Sequence, residues 1–274
     1  MTLPRLDRVR PAVPSRRAVL NPVRGAVVVL HGGRPEGYEA ADGLRLPYLR
    51  MVPFARAVAA AGARRGVDTA LLRYRYRGWN APDLDPVQDA RWALADLRRR
   101  HGDVPVVLVG HSMGGRAALR VGGDEGVVGV AGLAPWLERG EPWAHLADQT
   151  VLIAHGDRER MTSPQASRWF AGQVATISDR VARFEVLGDG HAMLRRAPAW
   201  HDLVTRFALG ALGLEPFPES VAKAMAAGDP DGLAVPWRTR SGPGAGHGSA
   251  AELDRRRSRT CGSGSRSSVR GSRG

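Results

Sequence analysis

Six short apolar runs recur along the chain: GAVVVLH (25–31), DTALLRY (68–74), VPVVLVG (104–110), GVVGVAGLA (126–134), TVLIAHG (150–156) and RVARFEVL (180–187). They are rich in Val and Leu, bounded by Gly, Pro or Asp, and apolar throughout rather than at every second position. That pattern predicts strands covered on both faces. The spacers between them carry helical periodicity at 47–61, 86–100, 112–121, 164–175 and 198–212. Arg98–Arg100 before Gly102 reads as a helix C-terminus, where cations complement the dipole and glycine suits the cap. Strands alternating with helix-length spacers predict an α/β domain over 25–237, a doubly wound, mostly parallel sheet of about six strands flanked by helices.

The two ends break the pattern. Residues 1–24 hold four prolines and no periodicity, which predicts an extended arm over the surface, and 238–274 is a Gly/Ser/Arg-rich tail with almost no large apolar residue. Such a tail cannot bury enough surface to offset its chain entropy, so disorder is expected there.

Composition narrows the function classes. With 274 residues, 43% hydrophobic and 24% charged, the chain is neither collagen nor coiled coil nor wholly disordered. No stretch reaches the roughly eighteen apolar residues of a membrane span, and the first 24 residues lack the apolar core of a signal peptide. A soluble, cytoplasmic protein with no membrane partner is expected. The single cysteine, Cys261, excludes an internal disulfide and a Cys-rich zinc site. The net charge of +13 invites a nucleic-acid reading, yet it sits at the ends. Residues 1–24 hold six Arg against one Asp, and 238–274 nine Arg against two acids. The middle is nearly neutral and lacks an aromatic platform, zinc spacing or helix-turn-helix signal, so no nucleic-acid partner is expected beyond a possible role of the basic tail.

The run VPVVLVG leads directly into Gly110-His111-Ser112-Met113-Gly114-Gly115 and then a helical stretch. This is G-x-S-x-G between a strand and a helix, where the glycines permit a turn tight enough to push the serine hydroxyl clear of the sheet. A serine needs a base, and the base an orienting carboxylate. On these residues the chain resembles the serine α/β-hydrolase family, over roughly residues 24–214.

The resemblance implies a triad in the order Ser, acid, His. His191, in Gly188-Asp189-Gly190-His191 after the last apolar run, is the implied base. The acid loop His155-Gly156-Asp157-Arg158-Glu159 departs from the family's usual pattern, with Glu159 where an aspartate is customary. Glu159 is the favoured acid, and Asp157, two residues earlier, stays open. Asp189 is too close to His191 along the chain to reach round its ring. His31-Gly32-Gly33 after the first run looks like the family's oxyanion motif, with Gly33 the favoured donor from this loop, Arg34 the alternative, and Met113 the partner donor from the elbow. The implied activity is cleavage of a carboxylic ester or thioester of a small molecule through an acyl-enzyme, with no metal or organic cofactor. Two other readings stay open: a serine peptidase or transacylase on the same machinery, and a non-catalytic binding protein on the same fold. Residues 135–149 leave room for about one helix, too little for a large lid. Trp136 and Leu137 are expected near the mouth of the site. The run Arg73–Asn80 has two readings, a structural one and one as an orienting patch for an anionic group. Substrate identity and oligomeric state are not legible.

Overall fold

The computed structural model describes residues 3–9 and 22–237. The described residues belong to one compact unit. The expected tail, 238–274, and the arm's residues 10–21 lie outside the described residues.

Eight strands form one sheet in the order β1-β3-β2-β4-β5-β6-β7-β8. The six expected strands are present: β2 (Gly25–Leu30), β3 (Val67–Arg73), β4 (Val106–His111), β5 (Val127–Leu133), β6 (Thr150–Gly156) and β7 (Val181–Val186). All neighbours among them run parallel. Two edge strands were not anticipated. β1 (Arg5–Arg8) pairs antiparallel with β3, and β8 (Val235–Trp237) pairs parallel with β7. Part of the arm expected over the surface is therefore a strand of the sheet. With four and three residues, these edges carry too short a pattern to be read alone.

The five expected helices are α1 (Leu46–Gly62), α2 (Asp85–His101), α3 (Met113–Arg120), α4 (Pro164–Ala175) and α5 (Ala197–Ala211), followed by a short α6 (Glu219–Ala227). Helix α4 starts as its sequence dictates: Ser163 Oγ accepts the N–H of Ala166 at 3.0 Å, and Pro164 fills the first turn. Side chains of α1, α5 and α6 pack with Val27 and Val29 of β2 on one face of the sheet. Those of α2, α3 and α4 pack with Ala26, Val28 and Leu30 on the other. Two covered faces explain why the strands read as unbroken apolar runs.

Strand β2 lies between β3 and β4, so the chain leaves β2 in one direction across the sheet and later resumes on its other side. A crevice opens at such a switch point beyond the C-terminal ends of the strands. The loops after β2 and β4 meet there. Residues 135–149 hold only a short 3-10 turn at Ala144–Leu146, so no helical lid spans the crevice. No helix of the described residues is long and apolar enough to cross a membrane.

Candidate active site

Ser112 follows β4 directly and stands at φ 55°, ψ −117°, a backbone conformation side-chain-bearing residues rarely adopt. The flanking glycines make it possible. A Cβ on Gly110 would meet the Gly114 carbonyl oxygen at 2.1 Å, and one on Gly114 would meet the Leu30 and His31 carbonyl oxygens at 2.5 Å. The turn is pinned by Ser112 N–H to the Leu133 carbonyl at 3.0 Å and by Trp136 N–H to the Ser112 carbonyl at 3.1 Å. Such strain costs about 1–3 kcal/mol and persists only where the surroundings enforce it. Ser112 remains partly accessible.

The loops after β6 and β7 bring Glu159 and His191 together. Glu159 Oε2 lies 2.9 Å from His191 Nδ1, with the glutamate side chain fully buried and the histidine nearly so. The other oxygen, Oε1, accepts the N–H groups of Arg160 (2.8 Å), Met161 (2.7 Å) and Thr162 (3.3 Å). Burial by itself would raise the Glu159 pKa. The hydrogen bond from His191, the N–H of Met161, the histidine's charge and the N–H of Thr162 together outweigh it and lower the value to about 2. A carboxylate permanently ionised at neutral pH thus faces His191.

The other two acids point elsewhere. Asp157 is exposed, and its Oδ1 accepts Gly188 N–H at 2.7 Å. Asp189 is buried and takes the N–H groups of Gly190, Arg196 and the Trp200 indole at 2.8, 2.8 and 3.1 Å, which holds the histidine loop onto α5.

On the opposite side, the loop after β2 brings Gly32 against Ser112, where an added Cβ would sit 3.3 Å from the serine Cβ. Of the two donors open in the sequence, Arg34 is spent: its N–H bonds the Arg77 carbonyl at 3.0 Å. The N–H of Gly33 makes no hydrogen bond within the described residues, and that of Met113, first in α3, has no helical acceptor.

Sequence reasoning missed a set of positioning side chains. His111 is buried, its pKa pushed well below 6.5 by desolvation and by the nearby His191 and Arg50 charges. Its Nε2 lies 2.9 Å from the His191 carbonyl, so Nε2 carries the proton and donates. It ties the backbone of His191 to the elbow. Beneath the acid loop, His155 bridges Ser167 Oγ at 2.9 Å and Thr162 Oγ1 at 3.3 Å, and Arg183 Nε reaches the same Ser167 oxygen at 3.3 Å. Burial and the Arg183 charge depress the His155 pKa to about 3, so it stays neutral. The legible signal was Arg183, a charge inside an apolar strand run, which has to find partners when buried.

Two sequence expectations resolve as architecture. Trp136 and Trp79 stack on the buried Arg116, 4.6 and 4.3 Å from its guanidinium, and Arg116 pairs with Glu141 at 2.6 Å. In the Arg73–Asn80 run, Arg73 pairs with Asp7 (3.5 Å), Arg75 with Asp85 (3.0 Å) and Asp89 (2.5 Å), and Asn80 with Gly37 N–H and Asp85 (both 2.8 Å). Arg73, Arg75 and Asn80 thus scaffold the loop after β2, while Arg77 of the same run lines a cavity beside Gly32 and Gly33.

Residues 27–257 match the model of the alpha/beta hydrolase family. The chain belongs to that family. Among solved structures it is similar to an alpha-beta serine hydrolase homologue from Coxiella burnetii, at 18% identity and a TM-score of 0.56, covering 74% of this chain and 90% of that one. It is likewise similar to Est1E from Butyrivibrio proteoclasticus with ferulic acid bound (15%, 0.54, covering 77% and 96%). A third likeness is the thermophilic esterase Est2 from Thermogutta terrifontis with propionate bound (17%, 0.55, covering 79% and 92%). At these identities the likeness speaks to the fold. No curated protein matches the chain.

Proposed function

We propose that this hydrolase-family chain is a serine hydrolase that cleaves a carboxylic ester or thioester of a small molecule. The observation that carries the reading is the 2.9 Å contact between Glu159 and His191, two residues from separate loops, with the His191 carbonyl held 2.9 Å from the ring of His111, which precedes Ser112 on its strained strand-to-helix turn. A thermophilic esterase among the structures of the same fold is in keeping with this reading.

The steps follow from the groups present. The Ser112 hydroxyl gives its proton to His191 Nε2 as Oγ bonds the substrate carbonyl carbon, and the carbonyl oxygen becomes an oxyanion. The N–H groups of Gly33 and Met113 stabilise that charge, a task for fixed dipoles that need not reorganise. Glu159 holds the imidazole with Nε2 toward the serine and offsets the imidazolium charge. The bond to the leaving oxygen or sulfur then breaks, and His191 gives that atom its proton. Water attacks the acyl carbon as His191 takes its proton, and His191 returns that proton to Ser112 Oγ as the bond to the acid breaks. A peptidase or transacylase would use the same atoms, and no observation favours either.

Turnover of a short-chain aryl ester by wild type and by Ser112→Ala tests the proposal. A loss on the order of a million-fold in kcat with an unchanged circular dichroism spectrum is expected. Activity of the variant within tenfold of wild type would remove Ser112 from the chemistry.

A further inference from the structure

Two cavities open on the active-site side. One, of about 310 Å³, is lined by His31, Gly32 and Gly33 together with Arg34, Arg45 and Arg77. The other, of about 480 Å³, is lined by His191 itself and by Arg158, Arg160 and Arg195, with Gly190, Ala192 and Leu194 between them.

The second cavity has an unusual charge arrangement. Its arginines belong to the acid loop and the histidine loop, and all three are exposed. None forms a salt bridge within the described residues, whereas Arg45 at the first cavity is held by Asp42 at 2.9 Å. The acids on these loops do not neutralise them from within. Asp189, the one carboxylate lining the cavity, is buried and accepts three N–H groups. Glu159 faces His191 and the amides of 160–162, and Asp157 accepts Gly188 N–H. The backbones are fixed: Arg158 N–H bonds the Asp189 carbonyl at 2.9 Å and Arg160 N–H bonds Glu159. Three arginines therefore line one cavity, two of them from anchored backbone, and Leu194, 69% exposed, adds an apolar wall.

We infer that this cavity receives the leaving group of the substrate and that the leaving group carries an anion, a carboxylate or a phosphate, on a small apolar body. The inference rests on the serine hydrolase reading for its placement, because the group that protonates the leaving atom is His191, which lines this cavity and not the other. Guanidinium recognises both anions through paired N–H donors, and a partly enclosed cavity screens the interaction less than open surface does. An anionic leaving group would thus gain local concentration and orientation at once.

The test uses acetate esters with one acyl group and different leaving groups: 3-acetoxybenzoate, 3-acetoxyphenyl phosphate, neutral 3-acetoxybenzamide and cationic 3-acetoxy-N,N,N-trimethylanilinium. Each kcat/KM is divided by the ester's own hydroxide-catalysed rate. The expected result at low salt is an advantage of about tenfold or more for at least one anionic ester over the amide, with the cation the poorest. The carboxylate and phosphate arms tell which anion is preferred. The advantage should shrink as ionic strength rises, and the ratio of anionic to neutral ester measured within one protein should fall to near unity in an Arg158→Ser, Arg160→Ser, Arg195→Ser triple variant. Equal normalised rates for anion and amide, or an anion preference that survives in the triple variant, would overturn it. Calorimetric binding of 3-hydroxyphenyl phosphate and of 3-hydroxybenzoate to Ser112→Ala separates this inference from the one beneath it. Arginine-dependent binding of either with no ester turned over by wild type would retain the anion site and remove the hydrolase reading. Turnover of the neutral ester with binding of neither anion would do the reverse.

Discussion

At the scale of single residues, the chain alone left two carboxylates open as the partner of His191, and the structure places Glu159 against it. Asp157 and Glu159 are two positions apart in one loop, and their directions depend on a turn that Glu159 itself builds, by accepting the N–H groups of the three residues that follow it. Composition and spacing carry no trace of that turn. The elbow was legible, because Gly110 and Gly114 are required by backbone atoms within 2.1–2.5 Å of any Cβ. On this geometry Glu159→Gln should lower turnover by roughly three to four orders of magnitude, since an amide favours the wrong imidazole tautomer. Asp157→Asn should cost less than about tenfold, and the reverse ranking in steady-state kinetics would reassign the acid. The strain at Ser112 makes a separate prediction. Ser112→Gly should be more stable than Ser112→Ala by about 1 kcal/mol in urea unfolding, because glycine accepts φ 55° without a Cβ clash.

At the scale of elements, the central strands and α1–α5 were legible because each is long and presents one consistent period. The edges β1 and β8 and the helix α6 were not. A four-residue strand such as RLDR is held by pairing with β3 and by Asp7, which accepts the Tyr48 hydroxyl at 2.7 Å, and neither is a local property. The acid loop is likewise an element held from below. His155 joins β6 to Thr162 of the loop and Ser167 of α4, and Arg183 of β7 closes the group. His155→Leu removes a hydrogen-bonding partner from the buried Ser167 hydroxyl and the half-buried Thr162 hydroxyl, each of which keeps a carbonyl acceptor, at an expected cost of about 0.5–1.5 kcal/mol. If the network also sets the loop, kcat should fall with KM little changed, and His155→Gln should recover part of the loss. A variant with wild-type stability in urea would show the network to be idle.

At the scale of the molecule, pH and stability are linked through buried neutral histidines. Burial lowers His31 to about 4 and His155 to about 3, and it carries His111 well below 6.5. In the unfolded chain each protonates near 6.5, so below that pH the unfolded state binds more protons and gains. Each histidine's contribution is whole above pH 6.5 and is lost as pH falls toward its folded value, at up to about 1.4 kcal/mol per pH unit. Glu159, lowered to about 2, adds a loss of the same sign between roughly pH 4.5 and 2. Urea midpoints should therefore hold near pH 7.5 and drop steeply between 6 and 4. A flat profile across that range would mean that these histidines are protonated in the folded state. The charge of +13 carries no such prediction, because most of it belongs to the chain ends.

The central claim is that Ser112 becomes acylated. Mixing the protein with p-nitrophenyl acetate, quenching in acid within the first turnover and measuring peptide masses tests it directly. The account predicts one added acetyl group on the peptide containing Ser112, absent in Ser112→Ala and accumulating far more slowly in Glu159→Gln. An acetyl group on another residue, or ester turnover at wild-type rate with Ser112 never modified, would contradict it.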